Sequence, residues 1–381
     1  MEKAKKYPFP IEQTLSDKFC RENFWKCLYE SASDNLHYWI ILPNNVKPIE
    51  VRPTKANNTT VIGQYIRLDD GPYLEVLVLY EYYEHEMNVS DWAEKKLYKM
   101  GEQLVDHRII EGKSTGNYLD VLTSRKLNEE ETVISRITTT KDSVGNGNGA
   151  NYFMAIARCL ENDYEELANT ILQIVSNWDL TNRSQWQFGE LLQKFSYPVE
   201  KKVEFYVPKS WDMRFEEESI HTDSPHFYIS HIEGDNNGVI NAYFYQSNVI
   251  KKYEDIVEMY FGRLEILDDD KIELKPFEVC KPNVFKNPVI HTLYQTTGTI
   301  INDEINFHAH IQIAVIKTSN GWYYFELVGS RHNLENDNWE INKRCLELII
   351  KSFNNLNFDE DKDEYEVEVD DDEEEEEIYH L

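Results

Sequence analysis

Two histidines two positions apart, His308 and His310, form the most metal-like pair in the sequence. Residues i and i+2 of a strand share a face, so both imidazoles would meet one metal ion, with His291 as a possible third ligand. The residues that alternate with the pair are apolar: Phe307, Ala309, Ile311, Ile313 and Val315. This alternation favours histidines on an ordinary polar sheet face. We therefore assign no metal ligand, and a metal at His308 and His310 remains the alternative. Three histidines in a loop-rich stretch are weaker candidates: His221, His226 and His231.

The segment Glu84-His85-Glu86 lies between a predicted strand and a predicted helix. Carboxylates beside an imidazole raise its pKa and can make it a general base. We favour the alternative, a solvated loop. The sequence contains no Gly-x-Ser-x-Gly, His-Glu-x-x-His or Walker motif. We therefore assign no catalytic residue and no cofactor, and an enzyme with a non-standard site is kept as an alternative function.

Two aromatic clusters occupy matching places in the two halves of the chain. They are Tyr80, Tyr82 and Tyr83 in the first half, and Tyr243, Phe244 and Tyr245 in the second. Alternation along a strand places some of these rings on one sheet face, and tyrosine is favoured at recognition surfaces. The alternative is packing beneath a helix. We predict these six residues as partner-binding residues.

The chain is strongly acidic, and its charge is unevenly distributed. Its 381 residues carry 39 Lys+Arg against 69 Asp+Glu, a formal net charge of −30. From Phe358 onward there are fifteen acidic residues and one lysine. Like charges at this density repel, so we predict a disordered acidic tail over 358–381. Its acidic run is a second candidate for binding a basic partner: Asp370, Asp371, Asp372, Glu373, Glu374 and Glu375.

The composition also bears on partners and location. Nucleic-acid binding and docking on anionic membranes both need Lys and Arg, so the acidity argues against both. We expect no stable membrane insertion, because no window approaches 18 apolar residues. The N-terminus lacks the apolar segment of a signal peptide, so we predict a cytoplasmic protein with reduced thiols. The cysteines are scattered without a Cys-x-x-Cys pair: Cys20, Cys27, Cys159, Cys280 and Cys345.

The order of the predicted elements repeats along the chain. Each half opens on an apolar strand that ends in proline, at Pro43 and at Pro208. A strand and a helix follow, and a glycine ends each helix (Gly101 and Gly262). These pairs are predicted at 73–80 and 91–100, then at 240–245 and 253–261. Further strands follow at 103–110, 118–127, 131–141 and 151–160, then at 264–267, 272–279, 288–301, 304–318 and 321–331. Within the first run we predict a hairpin turn over 145–149 rather than a phosphate loop, because a strand follows it.

Each half closes with an amphipathic helix. The apolar face of the first is formed by Tyr164, Leu167, Ala168, Ile171, Val175 and Trp178. The second has Trp339, Leu346, Ile350 and Phe353 at matching positions. Helical spacing places each set on one face. The pairs Asn162-Asp163 and Asn336-Asp337 precede these helices and are predicted N-caps.

Antiparallel strands with a few helices indicate an α+β fold. We predict two tandem α/β/α sandwiches, each a mainly antiparallel sheet with covering helices. The first domain spans 37–181 and the second 201–357. Residues 1–36 are predicted as a helical extension that includes Phe19, Phe24, Trp25 and Leu28. Residues 182–200 are predicted as a linker with a short helix.

The second half resembles the PsbP/DcrB-like family over residues ~200–356. The resemblance rests on the strand-Pro-x-x-Trp segment Val207-Pro208-Lys209-Ser210-Trp211 and on the aromatic strand at 322–327. That strand leads through Trp339 to a helix that ends in Ser352-Phe353. The first half is similar but looser, with Val46 in place of the tryptophan. The resemblance implies two tandem copies of this fold.

In bacteria that family includes the effector-associated chaperones of type VI secretion, which bind apolar segments of effectors. The resemblance implies a non-enzymatic chaperone or adaptor for an effector or apparatus component, with a protein as partner. One alternative is an immunity protein whose acidity neutralises a basic toxin. The sequence leaves the oligomeric state open.

Overall fold

The chain divides into two compact units, Met1–Glu190 (unit 1) and Leu191–Leu381 (unit 2). The structure is a computed structural model, and each unit is described by itself. The division lies inside the segment 182–200 that the sequence assigned to a linker. The structure describes residues 6–31, 33–51, 60–111, 117–198, 202–216, 226–232, 238–246, 250–256, 258, 271–280, 287–302, 307–330 and 337–356.

Unit 1 combines three helices with strands in two antiparallel sheets within its described residues. The helices are α1 (Asp17–Asn23), α2 (Val89–Lys99) and α3 (Tyr164–Val175). The strands are β1 (Phe24–Tyr29), β2 (Tyr38–Pro43), β3 (Val46–Pro48), β4 (Thr60–Arg67), β5 (Leu74–Tyr83), β6 (Gln103–Glu111), β7 (Asn117–Lys126), β8 (Thr132–Ser143), β9 (Ala150–Leu160) and β10 (Trp178–Leu180). The larger sheet has the order β3-β4-β5-β9-β8-β7-β6, and the smaller one β1-β2-β10.

Unit 2 has the same two kinds of sheet. Its strands are β11 (Leu192–Pro198), β12 (Lys202–Pro208), β13 (Trp211–Glu216), β14 (His226–His231), β15 (Gly238–Gln246), β16 (Lys271–Leu274), β17 (Glu278–Cys280), β18 (Thr292–Asn302), β19 (Phe307–Lys317), β20 (Gly321–Ser330) and β21 (Asn354–Leu356). The helix α4 spans Asn338–Ser352, and residues 253–256 are also helical. The larger sheet has the order β13-β14-β15-β20-β19-β18-β16, with β17 also paired to β18, and the smaller one β11-β12-β21.

The two strand orders correspond position by position. The proline-ended strands β2 and β12 are central in the two small sheets, and β10 and β21 follow the closing helices in both units. In the large sheets the consecutive strands β3, β4 and β5 match β13, β14 and β15, and the fourth position in each order (β9 and β20) is the last long strand before the closing helix. The α+β class is therefore confirmed, and the large sheets of the two units share one strand order.

Both faces of the central strands are packed. On β5, Val76 and Val78 belong to the core that α3 and the small sheet share, whereas Leu77 and Leu79 belong to the core beneath α2. Unit 2 repeats this with one core under α4 and another that includes Ile250 and Ile256. The described central strands thus present no uncovered sheet face, which corrects the idea that an exposed face carries the aromatic clusters.

The prediction for the first strand of each copy is wrong in part. Phe19 lies in the helix α1, but Phe24, Trp25 and Leu28 lie in β1, which pairs antiparallel with β2. Likewise β11 occupies the place of the short helix expected in the linker, and it pairs with β12. Phe24 and Leu28 have helical spacing, but an adjacent strand supplies hydrogen bonds that an isolated short helix lacks.

The predicted helix ends are correct in part. Gly101 follows α2 with φ of +73°, the left-handed conformation expected after a helix. The turn after β8 has positive φ at Gly145, Asn146, Gly147 and Gly149, which confirms the hairpin prediction. Asp163 and Asp337 occupy the predicted N-cap positions, but their side chains make no capping hydrogen bond.

The N-terminal segment packs on unit 1 beside a buried ion cluster. Tyr164 Oη donates to the carbonyl of Pro8 over 2.9 Å. The guanidinium carbon of Arg136 lies over the Phe9 ring, 4.6 Å from the ring centroid. Arg136 Nη2 also donates to the carbonyl of Pro10 over 2.8 Å. This arginine is completely buried and is paired with Asp120. The segment therefore covers the charged end of the sheet face.

Two further observations concern membranes and thiols. Within the described residues, none of the helices combines the length and apolar character that crossing a bilayer requires. The thiols of Cys20, Cys27, Cys159, Cys280 and Cys345 are free.

Candidate functional site

A half-open cleft in unit 1, which we call the tyrosine cleft, has a volume of about 480 Å³. It lies where β4 and β5 of the large sheet meet the segments that follow β1 and β3. Its described lining is Tyr29, Ser31, Leu36, Pro48, Ile49, Val51, Thr60, Val61, Ile62, Gly63, Gln64, Tyr65 and Tyr80. None of these side chains is charged. Volumes of this size are typical of ligand-binding clefts.

A pair of buried phenols, which we call the phenol wall, lies behind the cleft, and of the two only Tyr65 lines it. Tyr38 Oη and Tyr65 Oη lie 2.7 Å apart, and Cys27 Sγ is 3.9 Å from Tyr65 Oη. The ring of Tyr29 stacks on Tyr38 with centroids 4.8 Å apart. The small sheet supplies Cys27, Tyr29 and Tyr38, and β4 supplies Tyr65, so the wall exists only when the two sheets pack together.

Gly63 makes this close packing possible. The pairing of β4 with β5 shifts register between Val61 and Gly63. A Cβ atom at Gly63 would lie 1.9 Å from the Tyr38 hydroxyl oxygen. Any side chain at this position would therefore displace the phenol pair. A lone glycine within a strand pattern signals a bulge or a close backbone approach, and this signal in the sequence was missed.

The cleft offers neutral polar groups and apolar surface. Burial raises the pKa of the Tyr38 and Tyr65 hydroxyls and of the Cys27 thiol. These groups therefore stay protonated at neutral pH, and the two phenols are hydrogen-bonded to each other behind the cleft. An aromatic and aliphatic wall with a few neutral polar groups is suited to enclosing an apolar side chain.

The three aromatic residues of β5 have different environments. Tyr80 lines the cleft and packs on Phe153, with ring centroids 6.2 Å apart. Tyr82 is 46% exposed and donates through Oη to the carbonyl of Asn148 over 2.8 Å. Tyr83 faces the α2 side and meets the edge of the Tyr152 ring. The structure therefore places Tyr80 alone of these three in the cleft.

The matching residues of β15 belong to the cores of unit 2. Phe244 is buried in the core under α4, and Tyr245 is buried in the opposite core. Tyr243 is half-buried and stacks on His226 with centroids 4.2 Å apart. Phe244 and Tyr245 are thus packing residues, which was the alternative that the sequence left open.

The candidate histidines do not converge. His308 is exposed, and His310 packs against the ring of Trp339 on α4, with centroids 5.2 Å apart. His231 meets the edge of the Trp211 ring. His221 lies outside the described residues. In the described ranges, no group of three or more His, Cys, Asp or Glu side chains is arranged to hold a metal ion.

The loop at 84–86 was expected to be solvated, but Glu86 in this loop is buried. Its carboxylate is 1% exposed, forms an ion pair with Lys141 and accepts the Gly189 amide over 2.6 Å. The Glu86 amide in turn donates to Glu190 Oε1 over 2.5 Å. These bonds attach the 189–190 segment to the turn before α2. Glu86 therefore has a structural role that its sequence neighbours did not reveal.

The acidic candidates of the tail, Asp370, Asp371, Asp372, Glu373, Glu374 and Glu375, lie outside the described residues. Their role in binding and the disorder of the tail stay predictions.

The phenol wall can be tested by a double-variant cycle. We expect Gly63→Ala to lower the free energy of unfolding of unit 1 by about 1–3 kcal/mol, because the added methyl group overpacks the wall. Tyr38→Phe should cost about 1 kcal/mol, since it removes one buried hydrogen bond. When the Tyr38 hydroxyl is absent, part of its clash with the added methyl group disappears. The double variant should therefore be more stable than the sum of the two single losses predicts. Urea denaturation measures all three.

A matched control is Gly71→Ala, at an exposed turn where the nearest atoms belong to the Arg67 and Asp69 side chains. It should change stability by less than about 0.5 kcal/mol. Strictly additive losses for Gly63→Ala and Tyr38→Phe would show that the two groups do not press on each other.

Comparisons with known proteins give little similarity. No family model matches the chain, and no curated protein matches it. Among solved structures, one similar chain is LpqN, described as involved in cell envelope biogenesis of Mycobacterium tuberculosis. The likeness covers 43% of this chain and 95% of LpqN at 10% identity, with a TM-score of 0.31. At this level the likeness supports no conclusion about fold or function.

Proposed function

We propose that the chain is a non-enzymatic chaperone or adaptor that binds an apolar side chain of a protein partner in the tyrosine cleft. The observation that carries this proposal is the uncharged, half-open cleft with Tyr29, Tyr65 and Tyr80 in its wall. Tyrosine combines a large contact area with little conformational entropy loss, which suits it to protein recognition.

The energetics of such a cleft favour an apolar anchor. Burial of apolar surface contributes roughly 25 cal/mol per Å², so one enclosed aromatic or aliphatic side chain contributes about 1.5–3 kcal/mol. Ser31, Thr60 and Gln64 in the lining can hydrogen-bond to a backbone group that enters with it. A few such anchors dominate the affinity of most protein interfaces.

The partner class rests on the family resemblance. We propose that each unit is a PsbP/DcrB-like α/β/α sandwich and that the cytoplasmic partner is an effector or apparatus component of type VI secretion. The repeated strand order and the helices on the large sheets support the tandem arrangement. The resemblance of residues ~200–356 provides the link to secretion chaperones.

A second candidate function is an immunity protein that blocks a basic toxin. The net charge of −30 favours it, because acidic surfaces steer basic partners and complement them. In this proposal the acidic tail, rather than the cleft, supplies most of the affinity.

The two functions are separated by affinity capture from the native host with quantitative mass spectrometry. The baits are the full chain, a chain that ends at Asn357, Tyr80→Ala, and the matched control Tyr82→Ala from the same strand. Circular dichroism and thermal unfolding verify that each variant is folded. The expected result is that the full chain, the chain that ends at Asn357 and Tyr82→Ala recover a secretion protein equally well. Tyr80→Ala should recover about tenfold less of it, the factor that corresponds to about 1.4 kcal/mol.

Two outcomes contradict the cleft. Equal recovery by Tyr80→Ala and Tyr82→Ala would show that the cleft does not bind the partner. Recovery of a basic protein by the full chain alone would support the immunity function.

A further inference from the structure

The end strand of the large sheet in unit 1, β6, exposes aliphatic side chains. In the described part of the chain, β6 pairs with β7 and stands at the end of the strand order. Leu104 and Ile109 are each 60% exposed, Ile110 is 41% exposed and Val105 is 37% exposed. An end strand presents backbone amides and carbonyls to another strand, and proteins usually protect such edges with charged residues. Here the His107 amide donates to Asp106 Oδ1 over 2.9 Å, a bond that pairing with another strand would replace. Exposed aliphatic residues here are typical of an interface.

We propose that β6 pairs antiparallel with β6 of a second copy of this chain, about a twofold axis through His107. A twofold contact requires a surface that is complementary to itself. The β6 sequence meets this requirement, because the same side-chain classes occur at equal distances from His107, with the charge reversed. An aliphatic pair and Asp106 precede the histidine, whereas Arg108 and an aliphatic pair follow it.

The proposed register places complementary side chains opposite each other. Asp106 faces Arg108 of the second copy, whose guanidinium is also paired with Asp120 on its own β7 and whose side chain is 21% exposed. The symmetry repeats this contact on the other side of the axis. Val105 and Leu104 face Ile109 and Ile110 of the second copy. Opposite charges and aliphatic pairs at directly opposed positions each stabilise antiparallel strands.

Charge also disfavours the neighbouring registers. With the axis at Asp106, the two Asp106 residues of the dimer would be directly opposite each other. With the axis at Arg108, the two arginines would be directly opposite each other. Like charges directly opposite each other destabilise a strand pair. The pairing of β6 with β7 shifts register between Leu104 and Asp106, so Asp106, His107 and Arg108 are the regular residues that would face each other first about the axis. The surface shares no residue with the tyrosine cleft and is independent of the proposed function.

The register is tested by disulfide cross-linking of the full chain. In His107→Cys the two thiols would face each other across the axis, where opposed Cα atoms are about 4.5–5.5 Å apart. This distance permits a disulfide. In the control Asp106→Cys the two cysteines are offset by two positions along the strands, beyond the Cα separation of about 7 Å that a disulfide tolerates. We expect a covalent dimer from His107→Cys, and only the wild-type background from Asp106→Cys.

The association itself is tested by sedimentation over a hundredfold range of concentration. The wild type should shift from 45.1 kDa toward twice that mass. Asp106→Lys should weaken this association at least about tenfold, because it creates two Lys-Arg contacts at the axis. The control Asp70→Lys makes the same charge change at an exposed turn residue outside β6 and should leave the association unchanged.

Three results would overturn the proposal. A wild type that stays monomeric, with no cross-link from His107→Cys above background, excludes the dimer. Equal cross-linking of His107→Cys and Asp106→Cys, or a dimer insensitive to Asp106→Lys, places the contact elsewhere or in another register. A monomer whose β6 amides become protected only when an unrelated strand peptide is added would assign the edge to a different partner.

Discussion

Replacing Asp120 with asparagine is expected to lower the free energy of unfolding of unit 1 by about 3–5 kcal/mol, the usual cost of leaving a buried charge without its partner. Asp120 Oδ2 lies 2.8 Å from Arg136 Nη2 and 2.6 Å from Arg108 Nη2. Both Asp120 and Arg136 are almost completely removed from solvent. The guanidinium of Arg136 would then remain charged in an environment of low polarity.

Amide hydrogen exchange measures this loss strand by strand. Protection of the β7, β8 and β9 amides should fall in Asp120→Asn, while the unit 2 strands β19 and β20 serve as an internal control. The N-terminal segment should also lose protection, because Arg136 holds the carbonyl of Pro10. The exposed pair Arg214–Asp212 provides the matched control, and Asp212→Asn should change stability by at most about 1 kcal/mol.

A second variant identifies the cause. Asp120→Leu combined with Arg136→Met removes the two fully buried charges and fills similar volume, so it should recover most of the stability. Arg108 loses Asp120 as well, but its side chain is 21% exposed and water can solvate its charge. If the double variant is no more stable than Asp120→Asn, the loss arises from packing rather than from the uncompensated arginine.

Replacing Asp142 with asparagine is expected to stabilise unit 1 at neutral pH and to do little at acidic pH. Burial raises the pKa of Asp142 from 3.8 to about 6, and the nearby Asp179 adds to the rise. The Ser184 amide, Arg183 and Lys141 act in the opposite direction without cancelling it. Below the unfolded pKa the carboxyl is protonated in both states and has no effect. As the pH rises toward 6, the folded state retains a proton that the unfolded state has lost, and stability falls.

The expected size follows from the shift. Each pKa unit corresponds to 1.36 kcal/mol, so the stability gain of Asp142→Asn over the wild type should grow by about 3 kcal/mol between about pH 4 and pH 7. Urea denaturation at several pH values measures this difference. A gain that does not change with pH would show that Asp142 titrates normally.

Asp69→Asn is a control in which the change in stability near neutral pH should have the opposite sign to that of Asp142→Asn. Asn45 and Arg67 hold the pKa of Asp69 below its usual value, so its charge contributes stability above the unfolded pKa. Asp69→Asn should therefore be less stable than the wild type near neutral pH, and the difference should shrink as the pH falls. The same trend in both variants would point to a general effect of charge removal.

The long strands and closing helices were predictable because their signals are local. β8 and β9 are continuous runs of strand-forming residues, and the apolar face of α3 repeats at helical spacing. The glycine and asparagine residues of 145–149 specify their turn by backbone conformation alone. The order of these elements made the duplication visible before any contact was known.

The misread elements have weak local signals. β1 and β11 are short strands that β2 and β12 complete by hydrogen bonding. β21, after α4, has three residues and exists through its pairing with β12. Such strands depend on the neighbouring strand rather than on their own composition.

By itself the sequence determined the element order, the internal repeat and the acidic character, since periodicity, turn residues and charge act over a few neighbouring positions. Only the tertiary structure decided which polar and aromatic groups are buried. It buried Glu86 beside Lys141, placed Phe244 in a core, and brought Tyr38 and Tyr65 together against Gly63. These environments join residues far apart in the chain, and the balance between desolvation and hydrogen bonding there depends on contacts that no local pattern contains.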